Sequence, residues 1–384
     1  MATNKNQHFV PRCYLKAFSQ NQEGKAINLF NIDRRELILN AALKNQCSRD
    51  YFYGDDQQLE DAIQSFEKPY GLVIQEVLQP GYKLTDEHKR FFKLFWLLQN
   101  LRTESASRRQ VEIFEGVNST VGMPQGFIPS MKQAVLQAMC VFAEHMDIVD
   151  DLEVCLVKNK SEIKYVTSDD PAIMANRWHQ FDRRTRGMSF GTGASGLLAI
   201  LPLAENIVFV AYDNDVYHIP NKDGWAMCNN ASDARAFNQF QYFNCRANIY
   251  VSNAKSECEV ASSFQKAMQY RPRVRHEIHY GVLESNKDGY KSYRVVKPEE
   301  VAGHSDSMLQ IQEVFPVPPY WPSQIQWQPY GVVYTNGTGV GYIRRSQIFS
   351  RGLSREFWQE PAKDQIKTRK SKQARKKVSK RKRN

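Results

Sequence analysis

Eight polar side chains before residue 250 are candidates for binding phosphate or transferring protons: His8, Arg12, Glu67, Gln99, Arg102, Asp169, Asp170 and Asn244. An arginine binds a phosphate through two parallel N–H groups, and a histidine acting with a carboxylate can remove and return a proton. If these side chains meet in the fold, they form a polar pocket suited to phosphoryl chemistry.

The chemistry that uses this set most fully is metal-assisted hydrolysis of a phosphodiester. Glu67 and Asp169 would be ligands of Mg²⁺ or Mn²⁺, and Arg102 would neutralise the charge that develops in the transition state. We expect four residues to be catalytic and three to bind substrate: His8, Glu67, Arg102 and Asp170 for catalysis, and Arg12, Gln99 and Asn244 for binding.

A structural interpretation of the same residues stays open. Arg102 lies on the apolar face of a predicted helix, four residues after Leu98, and an unpaired charge buried there would be very costly. Glu67 and Arg102 would then be an ion pair between two packed helices, and His8 would bond the backbone near Pro11. Polar motifs of this kind can mark a structural network as well as an active site.

The elements that would position these residues are mostly helices. We expect Pro11 to begin a short helix that brings His8 and Arg12 to the candidate site. Three apolar side chains would anchor this helix on the core: Tyr14, Leu15 and Phe18.

Two longer helices follow from apolar side chains that recur every three or four residues. The stripe of the first is Leu59, Ala62, Ile63, Phe66, Tyr70, Val73, Ile74 and Val77. The second begins near Thr85, with a buried face of Phe91, Leu94, Phe95, Leu98 and Leu101. Arg109 is expected on the same line as Arg102, and a third helix is expected at Met131 to Met146.

From about residue 150 the apolar pattern alternates, which indicates strands. Strands after a run of helices favour an α+β fold, with a helical first half packed against an antiparallel or mixed sheet. We expect a core domain over residues 1–268, a small β-rich appendage with a Pro/aromatic connector over 269–360, and a disordered basic tail over 361–384.

The net charge of +11 comes from the end of the chain. Residues 367–384 hold 11 of the 52 Lys and Arg and no Asp or Glu, so the remainder carries 41 basic and 41 acidic side chains. Such a run has a salt-dependent affinity for phosphates, which makes nucleic acid the expected partner, bound through residues such as Lys376, Lys377 and Arg381. A tail that serves solubility alone is the alternative.

The composition also narrows the class of protein. The sequence shows no apolar run of the roughly 18 residues that a membrane helix needs and no secretory signal at its start, so we expect a cytoplasmic protein with no membrane partner. Seven scattered cysteines without a C-x-x-C motif indicate reduced thiols and neither a disulfide framework nor a zinc ribbon.

Several motifs together resemble the family catalogued as domain of unknown function 4238. They are H-F-V-P-R-x-Y-L-x-x-F at His8, C-S-x-x-Y-F-Y at Cys47, Glu67, Q-x-x-R-T at Gln99, S-D-D-P at Ser168, L-P-L at Leu201, and the segment from Phe237 to Ser252 that ends in N-I-Y-V-S. The resemblance covers roughly Gln7 to Met268. It implies a fold boundary and a set of motif positions, and it carries no established activity.

Three functions are therefore compatible with the sequence. The leading expectation is a metal-assisted nuclease or phosphodiesterase that acts on nucleic acid gathered by the tail. The second is a non-catalytic protein that binds nucleic acid or a ribonucleoprotein, with a structural polar cluster. The third is a pocket for a small anionic ligand.

Overall fold

The computed structural model describes residues 5–121, 127–287, 289–350 and 356–362. The predicted basic tail, with Lys376, Lys377 and Arg381, lies outside these residues, apart from Pro361 and Ala362. Within them the fold is α+β, as the sequence predicted. No helix in this part of the chain is both long enough and apolar enough to cross a membrane.

The described residues form nine α-helices. Their bounds are α1 Arg12–Leu15, α2 Gln57–Val77, α3 Asp86–Arg102, α4 Glu104–Val121, α5 Met131–Glu144, α6 Arg177–Phe181, α7 Ala231–Asn244, α8 Glu257–Ala267 and α9 Ser346–Ser350.

The same residues form nineteen strands. They are β1 Asn6–His8, β2 Ala26–Asn31, β3 Glu36–Ala42, β4 Ser48–Asp50, β5 Glu153–Asn159, β6 Thr167–Ser168, β7 Ile173–Ala175, β8 Leu198–Ala204, β9 Ile207–Tyr212, β10 Tyr217–His218, β11 Trp225–Cys228, β12 Asn248–Val251, β13 His276–Lys287, β14 Tyr290–Val296, β15 Ser307–Glu313, β16 Gln326–Trp327, β17 Val332–Thr335, β18 Tyr342–Ile343 and β19 Trp358–Pro361.

Two sheets form the centre of the molecule. One has the order β11-β5-β9-β8-β7. This sheet is mixed, because β11 pairs with β5 in parallel and the other neighbouring strands pair antiparallel. The second has the order β3-β2-β12-β6 and is antiparallel throughout. Every residue of β8 and β9 is buried, as expected for strands covered on both faces.

The opening segment is docked on this centre. Pro11 precedes α1 in an extended conformation, and Tyr14, Leu15 and Phe18 are fully buried. The Tyr14 hydroxyl donates to the Pro202 carbonyl at 2.7 Å and lies 2.6 Å from the Thr167 hydroxyl. The predicted anchoring is confirmed, and β1 additionally pairs with β4.

Helix α3 is buried on more than one side. Phe95 stacks on Tyr70 of α2, with ring centroids 4.3 Å apart, whereas the Trp96 indole donates to the carbonyl of Ile173, in β7 of the mixed sheet, at 3.1 Å. The buried residues are therefore Phe92, Lys93, Phe95, Trp96, Leu97, Leu98, Gln99 and Arg102. Of the predicted face, Phe95 and Leu98 are buried, and Phe91, Leu94 and Leu101 are partly buried and packed against the core, so the predicted face was incomplete.

The line of residues from Arg102 to Arg109 is interrupted. Thr103 has an extended conformation, with φ −69° and ψ 157°, so α3 ends at Arg102 and α4 begins at Glu104. The Thr103 hydroxyl accepts from the Ala106 N–H at 3.1 Å and so caps the new helix. The expectation that both arginines share one helical line was wrong.

The region after residue 268 contains further strands. Strands β14, β13 and β15 form a separate antiparallel sheet. Later side chains, Ile325, Val333 and Ala362, belong to the same buried cluster as the central sheets. The Trp178 indole donates to the Ala362 carbonyl at 2.6 Å, which joins the end of the described chain to the core. The domain boundary at 268 stays a prediction.

Candidate functional site

A cleft of about 390 Å³ lies between the opening segment and α2. We call it the His8 cleft, and its lining includes His8, Arg12, Cys13, Tyr53, Glu60 and Glu67. It brings His8, Arg12 and Glu67 together, three of the residues expected to form the site. The register of β1 on β4 and the docking of α1 position the first two.

Arg102 lies beneath this cleft and binds two of the residues that line it, His8 and Glu67. Its side chain is fully buried, and it donates to the Glu67 carboxylate at 2.6 Å and to the His8 and Phe9 carbonyls at 3.1 Å each. Gln99 donates to the same Phe9 carbonyl at 2.7 Å. Arg102 and Gln99 therefore fix the opening segment, and Arg102 also orients Glu67.

The chemistry of His8 follows from its surroundings. Its Nε2 lies 3.1 Å from the Lys44 carbonyl, and a carbonyl oxygen only accepts, so Nε2 carries the proton of the neutral ring. Burial is the main cause that lowers the pKa of His8; the Arg12 and Arg102 charges lower it as well, and the Lys44 carbonyl and the Glu67 charge offset part of the change. The neutral imidazole therefore presents Nδ1 as an unprotonated base.

A second polar cluster forms around Asp170. The buried carboxylate accepts from the Thr103 hydroxyl at 2.7 Å and from the Arg109 guanidinium at 2.8 Å, and Asn244 donates to the Asp170 carbonyl oxygen at 2.7 Å. Arg109 and Asn244 line a second pocket, distinct from the His8 cleft. Apart from Asp169, the candidate residues are thus divided between two places, which the junction of α3 and α4 connects.

Asp169 faces neither pocket. Its carboxylate accepts from three consecutive backbone N–H groups, those of Arg246, Ala247 and Asn248, at 2.8, 2.7 and 3.2 Å. Burial raises its pKa to about 6, although the three N–H donors act in the opposite direction. Asp169 therefore holds the turn before β12 in place.

The two carboxylates expected to share a metal have separate partners. Glu67 is bound by Arg102, and Asp169 is bound by the backbone of residues 246–248. No group of three or more His, Cys, Asp or Glu in the described part of the chain is arranged to hold a metal ion. A metal in the His8 cleft would have Glu67 and Glu60 as the carboxylates that line the cleft.

One further polar cluster was missed by the sequence reasoning. Glu104, at the start of α4, accepts from Arg49, Arg108 and Arg246 at 2.6, 2.8 and 2.6 Å. The four-residue spacing of Glu104 and Arg108 was a signal in the sequence. The other two arginines come from β4 and from the turn before β12, and no local pattern predicts their approach.

The comparisons with known proteins give a family. The family model described as protein of unknown function (DUF4238) matches residues 6–255, about two thirds of the chain. The match confirms the resemblance and ends before the predicted limit at Met268. No curated protein matches, and no solved structure does.

Proposed function

The chain belongs to the DUF4238 family, and from that premise we propose that the His8 cleft is the active site of a nuclease or phosphodiesterase. The observation that carries the proposal is a neutral histidine base and an arginine without a described partner in one cleft, opposite an oriented carboxylate. These are the groups that phosphodiester hydrolysis requires.

His8 is the general base of the proposed reaction. The Lys44 carbonyl fixes the ring so that Nε2 bears the proton, which leaves Nδ1 to take a proton from the attacking water or hydroxyl. The lowered pKa of His8 keeps the imidazole neutral at pH 7, so the base is in its active form.

Arg12 is the substrate-binding cation. Its side chain is exposed at the cleft and makes no ion pair with any residue in the described ranges. A free guanidinium can bind a phosphate through two N–H groups. Arg102 has a different role in this proposal from the one expected. It is hydrogen-bonded to Glu67 and to two carbonyls, so it acts as a positioning residue.

Glu67 is the proposed ligand of Mg²⁺ or Mn²⁺. Arg102 bonds one of its oxygens, Oε1, and the side chain is 24% exposed. Mg²⁺ commonly uses one or two protein carboxylates and keeps several waters, and Glu60 lines the same cleft. A metal held there would activate a bound water and offset charge on the phosphate.

The basic segment after residue 366 would supply affinity for the polymer. Its 11 cationic side chains include Lys376, Lys377 and Arg381, and contacts of this kind bind phosphates without regard to base sequence. Its removal should weaken binding most at low salt and leave turnover at saturating substrate unchanged.

The test is cleavage of labelled RNA, single-stranded DNA and duplex DNA by the full chain, with Mg²⁺, with Mn²⁺ and with EDTA. We expect metal-dependent cleavage, a loss of about 100-fold or more in kcat for His8→Ala, and a raised KM for Arg12→Ala. The matched controls are His218→Ala and Arg34→Ala, both at exposed positions, which should cleave like wild type.

Two results would contradict the proposed active site. Binding without any cleavage would overturn the proposal and favour a non-catalytic nucleic-acid-binding protein. Cleavage that His8→Ala and His218→Ala reduce equally would show that the reaction takes place elsewhere.

A further inference from the structure

Three arginines from distant parts of the chain meet at one buried carboxylate. Arg49 of β4, Arg108 of α4 and Arg246 of the turn before β12 donate to Glu104 Oε1 at 2.6, 2.8 and 2.6 Å, and Arg49 also donates to Oε2 at 3.0 Å. We call these three arginines the arginine triad. Because their donor nitrogens bond the same oxygen, the three guanidinium groups lie side by side.

The arginine triad is presented to solvent. Its side chains are 50%, 36% and 42% exposed, whereas the Glu104 side chain is 9% exposed. Each guanidinium carries several N–H donors in a fixed fork, and the triad uses four of them in total on Glu104. Its side chains make no other hydrogen bond or ion pair with the residues that the structure describes, so most of these donors are available to a ligand.

The charge of the arginine triad is not balanced. Arginine stays protonated in proteins, so three cations face one carboxylate. The acidic groups nearby act on other cations, since Asp50 pairs with Lys5 at 3.1 Å and Asp170 pairs with Arg109 at 2.8 Å. The Glu112 charge also acts on Arg109. An excess of positive charge therefore remains at this surface.

The arginine triad is next to the His8 cleft. Strand β4 places Arg49 opposite Gln7 of β1, and Gln7 lines the cleft. The junction of α3 and α4 gives a second link, because only Thr103 separates Arg102, beneath the cleft, from Glu104. A ligand longer than the cleft is therefore within reach of the triad.

Adjacent guanidinium groups with an excess of charge match the phosphates of a nucleic acid. The guanidinium fork fits two phosphate oxygens, and a nucleic-acid strand repeats its negative charge at every nucleotide, so neighbouring arginines can meet it together. An acidic protein segment would also be attracted. The basic segment after residue 366 favours the nucleic acid, because its 11 Lys and Arg without any Asp or Glu are a second set of cations for the same polymer.

We propose that the arginine triad binds phosphate groups of a nucleic-acid strand beside the His8 cleft, with Glu104 as the positioning residue that gathers the three guanidinium groups. The proposal rests on the proposed function for the class of its ligand, a nucleic acid, and does not depend on cleavage of that ligand.

The experiment is fluorescence anisotropy of labelled single-stranded RNA with the full chain in EDTA, over a series of salt concentrations. Each phosphate contact contributes about 0.7 to the slope of log K against log salt for a single strand. Arg108→Met and Arg246→Met should therefore each lower the magnitude of the slope by about 0.7 and weaken binding about fivefold at about 0.1 M salt. Arg246→Lys keeps the charge and should keep the slope.

The matched control is Arg235→Met. Arg235 is 48% exposed and donates to one carboxylate, that of Glu259, so its variant should bind RNA like wild type. Each single variant of the triad leaves Glu104 with two arginines, so the buried carboxylate stays paired and the urea midpoint should stay close to that of wild type. His8→Ala should bind RNA normally, which separates failure of this proposal from failure of the hydrolase.

Two results would overturn the proposal. One is RNA binding that is absent, or whose salt slope Arg108→Met and Arg246→Met leave unchanged. The other is binding of polyglutamate that these variants weaken as much as they weaken RNA binding, which would assign the triad to an acidic protein. The expected slopes without any cleavage would overturn the hydrolase and support the triad as a phosphate-binding surface.

Discussion

Replacement of Glu67 by alanine tests whether Arg102 depends on this one carboxylate. The Arg102 side chain is 0% exposed and the Glu67 side chain 24% exposed. After the substitution, Arg102 keeps two carbonyl acceptors but loses the compensating charge. Removal of one partner from a buried pair costs about 3–5 kcal/mol, and because water reaches part of Glu67, we expect about 3 kcal/mol.

The measurement is equilibrium unfolding in urea for three variants and wild type. Glu67→Gln keeps an oxygen that can accept from Arg102, so it should cost about 1–2 kcal/mol. The control is Glu259→Ala, which breaks the more exposed Arg235–Glu259 pair, 48% and 32% exposed. That loss should stay below about 1 kcal/mol.

The order of the three losses in unfolding free energy tests whether Arg102 depends on the Glu67 charge. If Glu67→Ala costs no more than Glu259→Ala, then the carbonyls of the opening segment suffice for Arg102 and the argument from buried charge fails. If Glu67→Gln is as unstable as Glu67→Ala, the retained hydrogen bond has no value.

Three further predictions concern other parts of the molecule. Because burial lowers the pKa of His8, cleavage should fall as the pH drops through a value below the ordinary 6.5, and a pH–rate profile whose acid limb lies above 6.5 would contradict this. Gly224 and Gly81 both have positive φ, +81° and +78°, but a Cβ on Gly224 would overlap Leu84, whereas one on Gly81 meets nothing within 4 Å. Both alanine variants share a left-handed strain of about 1–2 kcal/mol, so urea unfolding should show a clearly larger loss of stability for Gly224→Ala than for Gly81→Ala. Equal losses would refute the overlap. Burial raises the pKa of Asp169 from 3.8 to about 6, so the contribution of its protonated form to folding stability is complete below pH 3.8 and is lost as the pH rises through about 6. The stability of wild type relative to Asp169→Asn should therefore fall by about 2–3 kcal/mol between pH 4 and pH 7. A stability difference that stays constant over this range would contradict the prediction.

The sequence predicted local structure well where one face of an element is buried. On α2, five members of the predicted stripe are buried, namely Ile63, Tyr70, Val73, Ile74 and Val77, and Leu59 and Phe66 are partly buried against the core. Ala62 is exposed, so its place on the stripe was wrong. It predicted only part of the buried surface of α3, because that helix contacts both α2 and the mixed sheet. A helix buried on several sides has no single apolar stripe, and periodicity cannot then select its inner face.

The grouping of the candidate residues could not be predicted from the sequence. Helical phase relates Arg102 to its own helix only, and the extended conformation of Thr103 starts a new phase in α4. Arg109 is thereby directed to Asp170. The pairing joins α4 to the segment after β6, which is distant in sequence, and a single chain offers no local signal for it.

The two interpretations of the polar motif therefore apply to different residues. Gln99 and Arg102 are fully buried, and they bond the backbone of residues 8 and 9, which is a structural role. His8 and Arg12 are held at the surface of the cleft by that same backbone, and each keeps polar atoms that no described residue engages. Because the buried pair fixes the segment that carries the free groups, a structural network and a reactive site do not exclude each other. The network would supply the rigidity that the proposed base and the proposed phosphate-binding cation need to act on one substrate.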